Sequence, residues 1–242
     1  MILARLTRAI CQQNWFAVAL EFVIVIAGVV IGFQVTAWNA ERQDHAREGL
    51  ILCRLARDFD QIEADVRQHL ADAQTSQAAA EAIVAAAQAG LTPEILDGLD
   101  IDRALALRVA PAGSPTYAQL VSSGDMALIR SEAVREALIA YHEQLSRFQR
   151  SGDSLATILY GSGARVFDIR GLTSQSIAAL PETIQADVLN RLADPDVYTA
   201  ARGVAYANMV NFDWKTTLVE DVAWVNTELA AYGAGCANEA AP

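Results

Sequence analysis

The order of apolar and polar positions divides this chain into an unbroken stretch followed by a long periodic one. From Trp15 to Trp38, WFAVALEFVIVIAGVVIGFQVTAW, a single acid, Glu21, and no base interrupt the apolar run. A helix rises about 1.5 Å per residue, so a run of this length crosses a hydrocarbon layer of about 30 Å. Trp15 and Trp38 stand at its ends, where amphipathic rings favour the membrane–water boundary. The pattern predicts a transmembrane helix over 15–38 with those two rings as interface anchors. The alternatives are a buried core helix, which seldom needs so long a run, and a cleaved signal peptide. Val35-Thr36-Ala37 offers the small residues a signal peptidase accepts. Against cleavage, the run exceeds the usual h-region of about 7–15 residues and carries Glu21 inside it.

Beyond Asn39 the pattern becomes helical and periodic as far as Ala89. Leu52, Leu55, Phe59, Ile62, Val66, His69 and Ala73 recur at steps of three and four, a heptad-like seam. Gly49 is its one weak point, and Gly90 and Pro93 close it. Residues 92–130 read as short helices joining two long ones. Thr92-Pro93 and Ser114-Pro115 each place an N-cap before a proline at the first helical position, and Gly124 supplies a left-handed stop. Ser131 caps a second long helix with the seam Val134, Leu138, Tyr141, Leu145 and Phe148, continued by Leu155, Ile158 and Leu159. Gly161-Ser162-Gly163 weakens that helix without necessarily ending it. Pro181 opens a shorter helix to Leu192, and Asp194-Pro195 caps a last long one to about Tyr232. The expected fold is all-α: a basic segment 1–14, a single transmembrane helix 15–38, an antiparallel bundle of long helices with short connecting helices over 39–232, and a disordered tail 233–242.

Charge narrows the choice of partners. The chain of 242 residues has a net charge of −11, which excludes the concentrated basic face that nucleic acid requires. Its bases are arginines except Lys215. Leu3, Leu6 and Ile10 alternate with Arg5 and Arg8, as in a short helix on an anionic leaflet or an unstructured basic leader. Either places the N-terminus inside. Arg42, Arg47, Arg54 and Arg57 follow the span and argue the other way under the positive-inside rule, but long domains cross largely regardless of charge. Cys11, Cys53 and Cys236 lack metal-ligand spacing. Only Cys53 and Cys236 can share a compartment. A disulfide between them is open, with two free thiols the favoured expectation.

Two motifs in order resemble an uncharacterised bacterial family of small single-span membrane proteins, a domain of unknown function. The first is the anchor Glu21-x-Val23-x-Val25-x-x-Gly28-x-x-Ile31-x-Phe33-Gln34, ending in Trp38-Asn39. The second is Ser114-Pro115-Thr116-Tyr117-x-x-Leu120-x-Ser122-Ser123-Gly124, followed by Leu128-Ile129, Leu138 and Tyr141. Together they cover about a third of the chain, and the stretch from Gly152 onward departs from the pattern. The resemblance implies an N-terminal anchor ending in Trp-Asn and a helical domain beyond it. It brings no catalytic residues. The expected location is the bacterial inner membrane, N-terminus cytoplasmic and C-terminal domain periplasmic or otherwise extracytoplasmic.

No constellation in the chain predicts catalysis, a cofactor or a metal. His45, His69 and His142 lack a second ligand at helical spacing, and His142-Glu143 lacks the second histidine of a zinc-protease helix. Gly152-Asp153-Ser154-Leu155-Ala156 imitates a nucleophile elbow without its strand. Gly161-x-Gly163 lacks the third glycine of a dinucleotide site, and Asp97, Asp100 and Asp102 lack full calcium-loop spacing. The expected function is a non-enzymatic scaffold or protein-interaction module, with a small-molecule sensor acting through a membrane partner, or a membrane-tethered hydrolase, as the alternatives. Expected partners are the lipid bilayer and either a homo-oligomer or another membrane protein. In the span, Glu21, Val25, Gly28, Gly32 and Val35 fall within about 40° of one helical line. Gly28 and Gly32 form a GxxxG pair, which lets helices approach closely, so this face is the expected self-association surface. Ser114, Pro115, Tyr117, Ser123 and Gly124 form a candidate interaction hairpin.

Overall fold

A computed structural model describes residues 15–90, 92–107, 111, 113–170, 180–192 and 194–233. The basic segment, residues 234–242 of the tail, Cys11, Cys236 and the side chain of Trp15 lie outside the described residues. The elements are all helical: α1 (Trp15–Ala89), α2 (Pro93–Asp97), α3 (Ile101–Ala104), α4 (Pro115–Ser123), a 3-10 turn (Asp125–Leu128), α5 (Glu132–Arg170), α6 (Glu182–Leu192) and α7 (Pro195–Ala231).

The helix ends fall where local chemistry puts them. Thr92 accepts from the Ile95 amide, Ser114 from Tyr117, Ser131 from Val134 and Asp194 from Asp196, each satisfying an amide of the first turn that has no helical partner. Gly124 ends α4 at a φ of 77°, where any other residue would be strained. Gly49 leaves α1 unbroken, and Gly161 and Gly163 leave α5 unbroken.

The chain forms two compact units, 1–50 and 51–242. In the first, α1 carries its apolar side chains outward, with Phe33 75% and Phe22 66% exposed. This stretch makes α1 long and apolar enough to cross a membrane.

The second unit is held by two apolar clusters. The first joins Leu55, Phe59 and Val66 of α1 to Leu138, Tyr141 and Leu145 of α5 and to Leu218, Val222 and Val225 of α7. Phe59 and Tyr141 meet edge to face at 5.2 Å. The second joins Ala80 and Ile83 of α1, Leu155 and Leu159 of α5, and Ala200, Val204 and Ala207 of α7. From the first cluster to the second, residue numbers rise along both α1 and α5 and fall along α7. Ala104 and Leu105 belong to the second cluster, and Leu120 and Ile129 to the first. The segment between α1 and α5 therefore carries the chain back before α5 begins. An antiparallel succession would make α1 and α5 run oppositely, whereas here they run the same way. The physical reason is the length of the linking segment, which is enough to return along the domain. Ile158, expected on the apolar face, is 40% exposed because the step from Leu155 to Leu159 carries that face past it.

Gly203 on α7 lets α5 come close. A Cβ there would lie 2.8 Å from the Cβ of Ser162. Gly203→Ala should therefore destabilise the domain by about 1–3 kcal/mol by overpacking, although alanine is worth about 1 kcal/mol more than glycine in a helix. Adding Ser162→Gly should recover part of the loss in urea denaturation. A stabilised single variant would show that the two helices separate freely here.

Candidate functional site

α7 repeats its inward positions at steps of four and three: Val204, Asn208, Asn211, Lys215, Leu218, Val222. Three consecutive inward positions are thus polar, and they fall between the two apolar clusters. All three are buried: Asn208 and Asn211 each 2% exposed, Lys215 0%. Asn208 is satisfied, its Nδ2 donating to the carbonyls of Ala104 at 2.8 Å and Val204 at 3.0 Å. The others are not. Asn211 Oδ1 and Lys215 Nζ have no hydrogen-bond partner.

Lys215 Nζ lies 4.9 Å from the centre of the Phe148 ring, a cation–π contact. Burial drives its pKa down from 10.5 to about 8, opposed by the negative charge of Asp72 on α1. Ser76 of α1 is also buried, while α5 contributes Ser151 and Gly152, both partly exposed. A cavity of about 380 Å³ opens between α5 and α7, lined by Phe148, Gly152, Leu155, Ala156, Asn211 and Trp214 among others. Trp214 packs edge-on against Phe148 at 4.7 Å.

The candidate hairpin is tied into the domain. Ser114, 1% exposed, accepts from the Tyr117 amide at 3.1 Å and donates to Asp58 Oδ2 at 2.6 Å. The same carboxylate oxygen accepts from the Thr116 amide at 3.1 Å, so α1 holds the start of α4. Tyr117 stacks on His142 with centroids 3.6 Å apart. His142 donates from Nδ1 to the Leu138 carbonyl at 2.9 Å, and burial lowers its pKa, leaving it neutral at pH 7. Pro115, Ser123 and Gly124 are exposed. Ser114→Ala should cost about 1–3 kcal/mol, a lost cap plus a carboxylate deprived of a donor. The denaturant midpoint should fall, and an unchanged midpoint would mean water replaces the hydroxyl at no cost.

The other sequence candidates are placed as follows. Glu21, Val25, Gly28, Gly32 and Val35 are all exposed, and a Cβ at either glycine would meet nothing within 4 Å. Trp38 is exposed, with the Arg42 guanidinium 5.0 Å over its ring. Asp100 caps α3 through the Arg103 amide at 2.9 Å. Gly152-Asp153-Ser154 lies inside α5, with no strand before it. Cys53, expected as a free thiol, is disulfide-bonded. Two isolated cysteines carry no sequence signal of their pairing, because pairing depends on where the helices bring them.

Lys215 and Asn211 escaped the sequence reading. The signal lay in continuing the heptad of Leu218, Val222, Val225 and Leu229 backwards along α7, which places both inside.

These features define an all-helical protein with, among the described residues, one helix long and apolar enough to cross a membrane, and with a polar layer inside its helical domain. Comparison of the chain with protein-family profiles, curated proteins and solved structures gives no match.

Proposed function

We propose that this is a single-span inner-membrane protein whose helical domain stands outside the cytoplasm and works by binding, as a scaffold or interaction module. The observation that carries the reading is the apolar stretch of α1, whose described side chains, residues 19–38, are all exposed. An apolar surface of that extent needs cover, and lipid supplies it. The orientation rests on Cys53. Disulfides persist in oxidising compartments, and Cys236 is the partner we assign, because Cys11 precedes the span. The GxxxG face with Glu21 is the surface we assign to self-association or to another membrane protein. The likeness of the anchor and hairpin motifs to the single-span bacterial family agrees with this reading.

The test is a carbonate wash followed by thiol labelling. The chain should stay in the membrane pellet. In intact spheroplasts, an impermeant reductant should then open Cys53 to a maleimide-polyethylene glycol that shifts the band. A soluble form beginning near Trp38 would make the apolar stretch a signal peptide. A thiol already free in the cell would invert the topology. A second reading, a domain that senses a small molecule through a membrane partner, is favoured by the cavity beside Asn211.

A further inference from the structure

The cavity between α5 and α7 has the parts of a ligand site. At about 380 Å³ it falls within the range of roughly 300–1,000 Å³ that ligand pockets occupy. Its walls are apolar and aromatic, with Leu155, Ala156, Phe148 and Trp214 among them, and Asn211 enters as a buried polar group. Buried polar groups are almost always hydrogen-bonded, so an amide oxygen and an ammonium lacking partners within one helical turn need an explanation. Lys215 follows Asn211 by four residues, on the same face of α7. Asp72 draws on the ammonium without hydrogen-bonding to it.

We propose that this cavity binds a small apolar or aromatic molecule bearing one carboxylate, held at Asn211 one turn from the Lys215 ammonium. The Asn211 amide turns its NH₂ toward the carboxylate, as either end of an amide can face a partner. The ligand's negative charge lies within the field of the buried cation, in surroundings where water screens little. Asp153, exposed among the lining residues, repels an anion at the mouth and favours the orientation with the carboxylate inward. The apolar body packs on Trp214, Leu155 and Ala156. This deepens the small-molecule reading of the site and is independent of which side of the membrane the domain occupies.

The test uses the full chain in nanodiscs of zwitterionic lipid, with two matched probes, para-bromophenylacetate and the neutral para-bromophenylacetamide. Bromine quenches tryptophan on contact, so binding beside Trp214 is read as saturable quenching that is lost in Trp214→Phe. The carboxylate should bind at least about tenfold more tightly than the amide. Lys215→Met should bring that ratio close to one, and Ala156→Trp should abolish binding of both by filling the cavity. The proposal is overturned by equal affinity for the two probes in the parent chain, by no saturable quenching with either, or by an undiminished carboxylate preference in Lys215→Met. The parent comparison needs no variant to fold. Failure here would leave the carbonate and labelling results untouched, so the two readings fall separately.

Discussion

Lys215→Met should raise the stability of the folded domain at pH 7 by about 2–3 kcal/mol, and its Tm by about 5–10 °C. The side chain is fully buried, its Nζ lacks a hydrogen bond, and burial holds its pKa at about 8 against the ordinary 10.5. Between those two values the unfolded chain carries a proton that the folded chain has lost. The parent's stability therefore rises with pH across the window from 8 to 10.5, and below 8 the full cost of burying the charge is present. At about 1.4 kcal/mol per pH unit that cost is on the order of 3 kcal/mol. Methionine matches the stem and carries no charge. The advantage of the variant should shrink steadily as pH climbs from 8 towards 10.5. Denaturation series of both chains at several pH values measure this. A variant less stable than the parent at pH 7 would mean that the Phe148 and Asp72 interactions outweigh desolvation.

Cys53→Ser should have the opposite sign and a comparable size, a loss of about 2–5 kcal/mol. The bonded cysteine sits on α1 between Leu52 and Leu55, at the edge of the first apolar cluster. A cross-link from this point shortens the unfolded chain and so raises its free energy, most of all when it closes a long loop. Reduction of the parent with dithiothreitol should reproduce the drop in Tm, and the serine variant should be insensitive to the reductant. A parent whose Tm ignores reduction would show that the bond does not restrain the unfolded chain.

Much of this arrangement was legible in the sequence, for identifiable reasons. The seam of Leu55, Phe59 and Val66 and that of Leu138, Tyr141 and Leu145 are buried as their spacing requires, because periodicity is a property of one helix alone. The caps at Thr92, Ser114, Ser131 and Asp194 were readable for the same reason: each acts within its own turn. The common direction of α1 and α5 was not readable. A seam names the face a helix buries but not the helix it meets, and the return between them is made of short pieces with no seam. The polar layer was hidden by a different cause. Asn208, Asn211 and Lys215 are residue types that ordinarily sit outside, and only the burial of Leu218 and Val222 on the same stripe of α7 reveals that they are inside. The stacking of His142 depends on Tyr117, which approaches it from α4.

The solitary lysine gives the folded chain an unusual chemical silence. An acylating reagent has one side-chain amine to find, and that amine is sealed inside the helical domain. Each acylation at Lys215 must therefore await an excursion in which α7 parts from its neighbours. When reclosing is faster than the chemistry, the rate of modification follows the equilibrium population of opened molecules. Mass spectrometry of a single peptide then counts the breathing of the domain directly, without isotopic exchange and with no background from other lysine side chains.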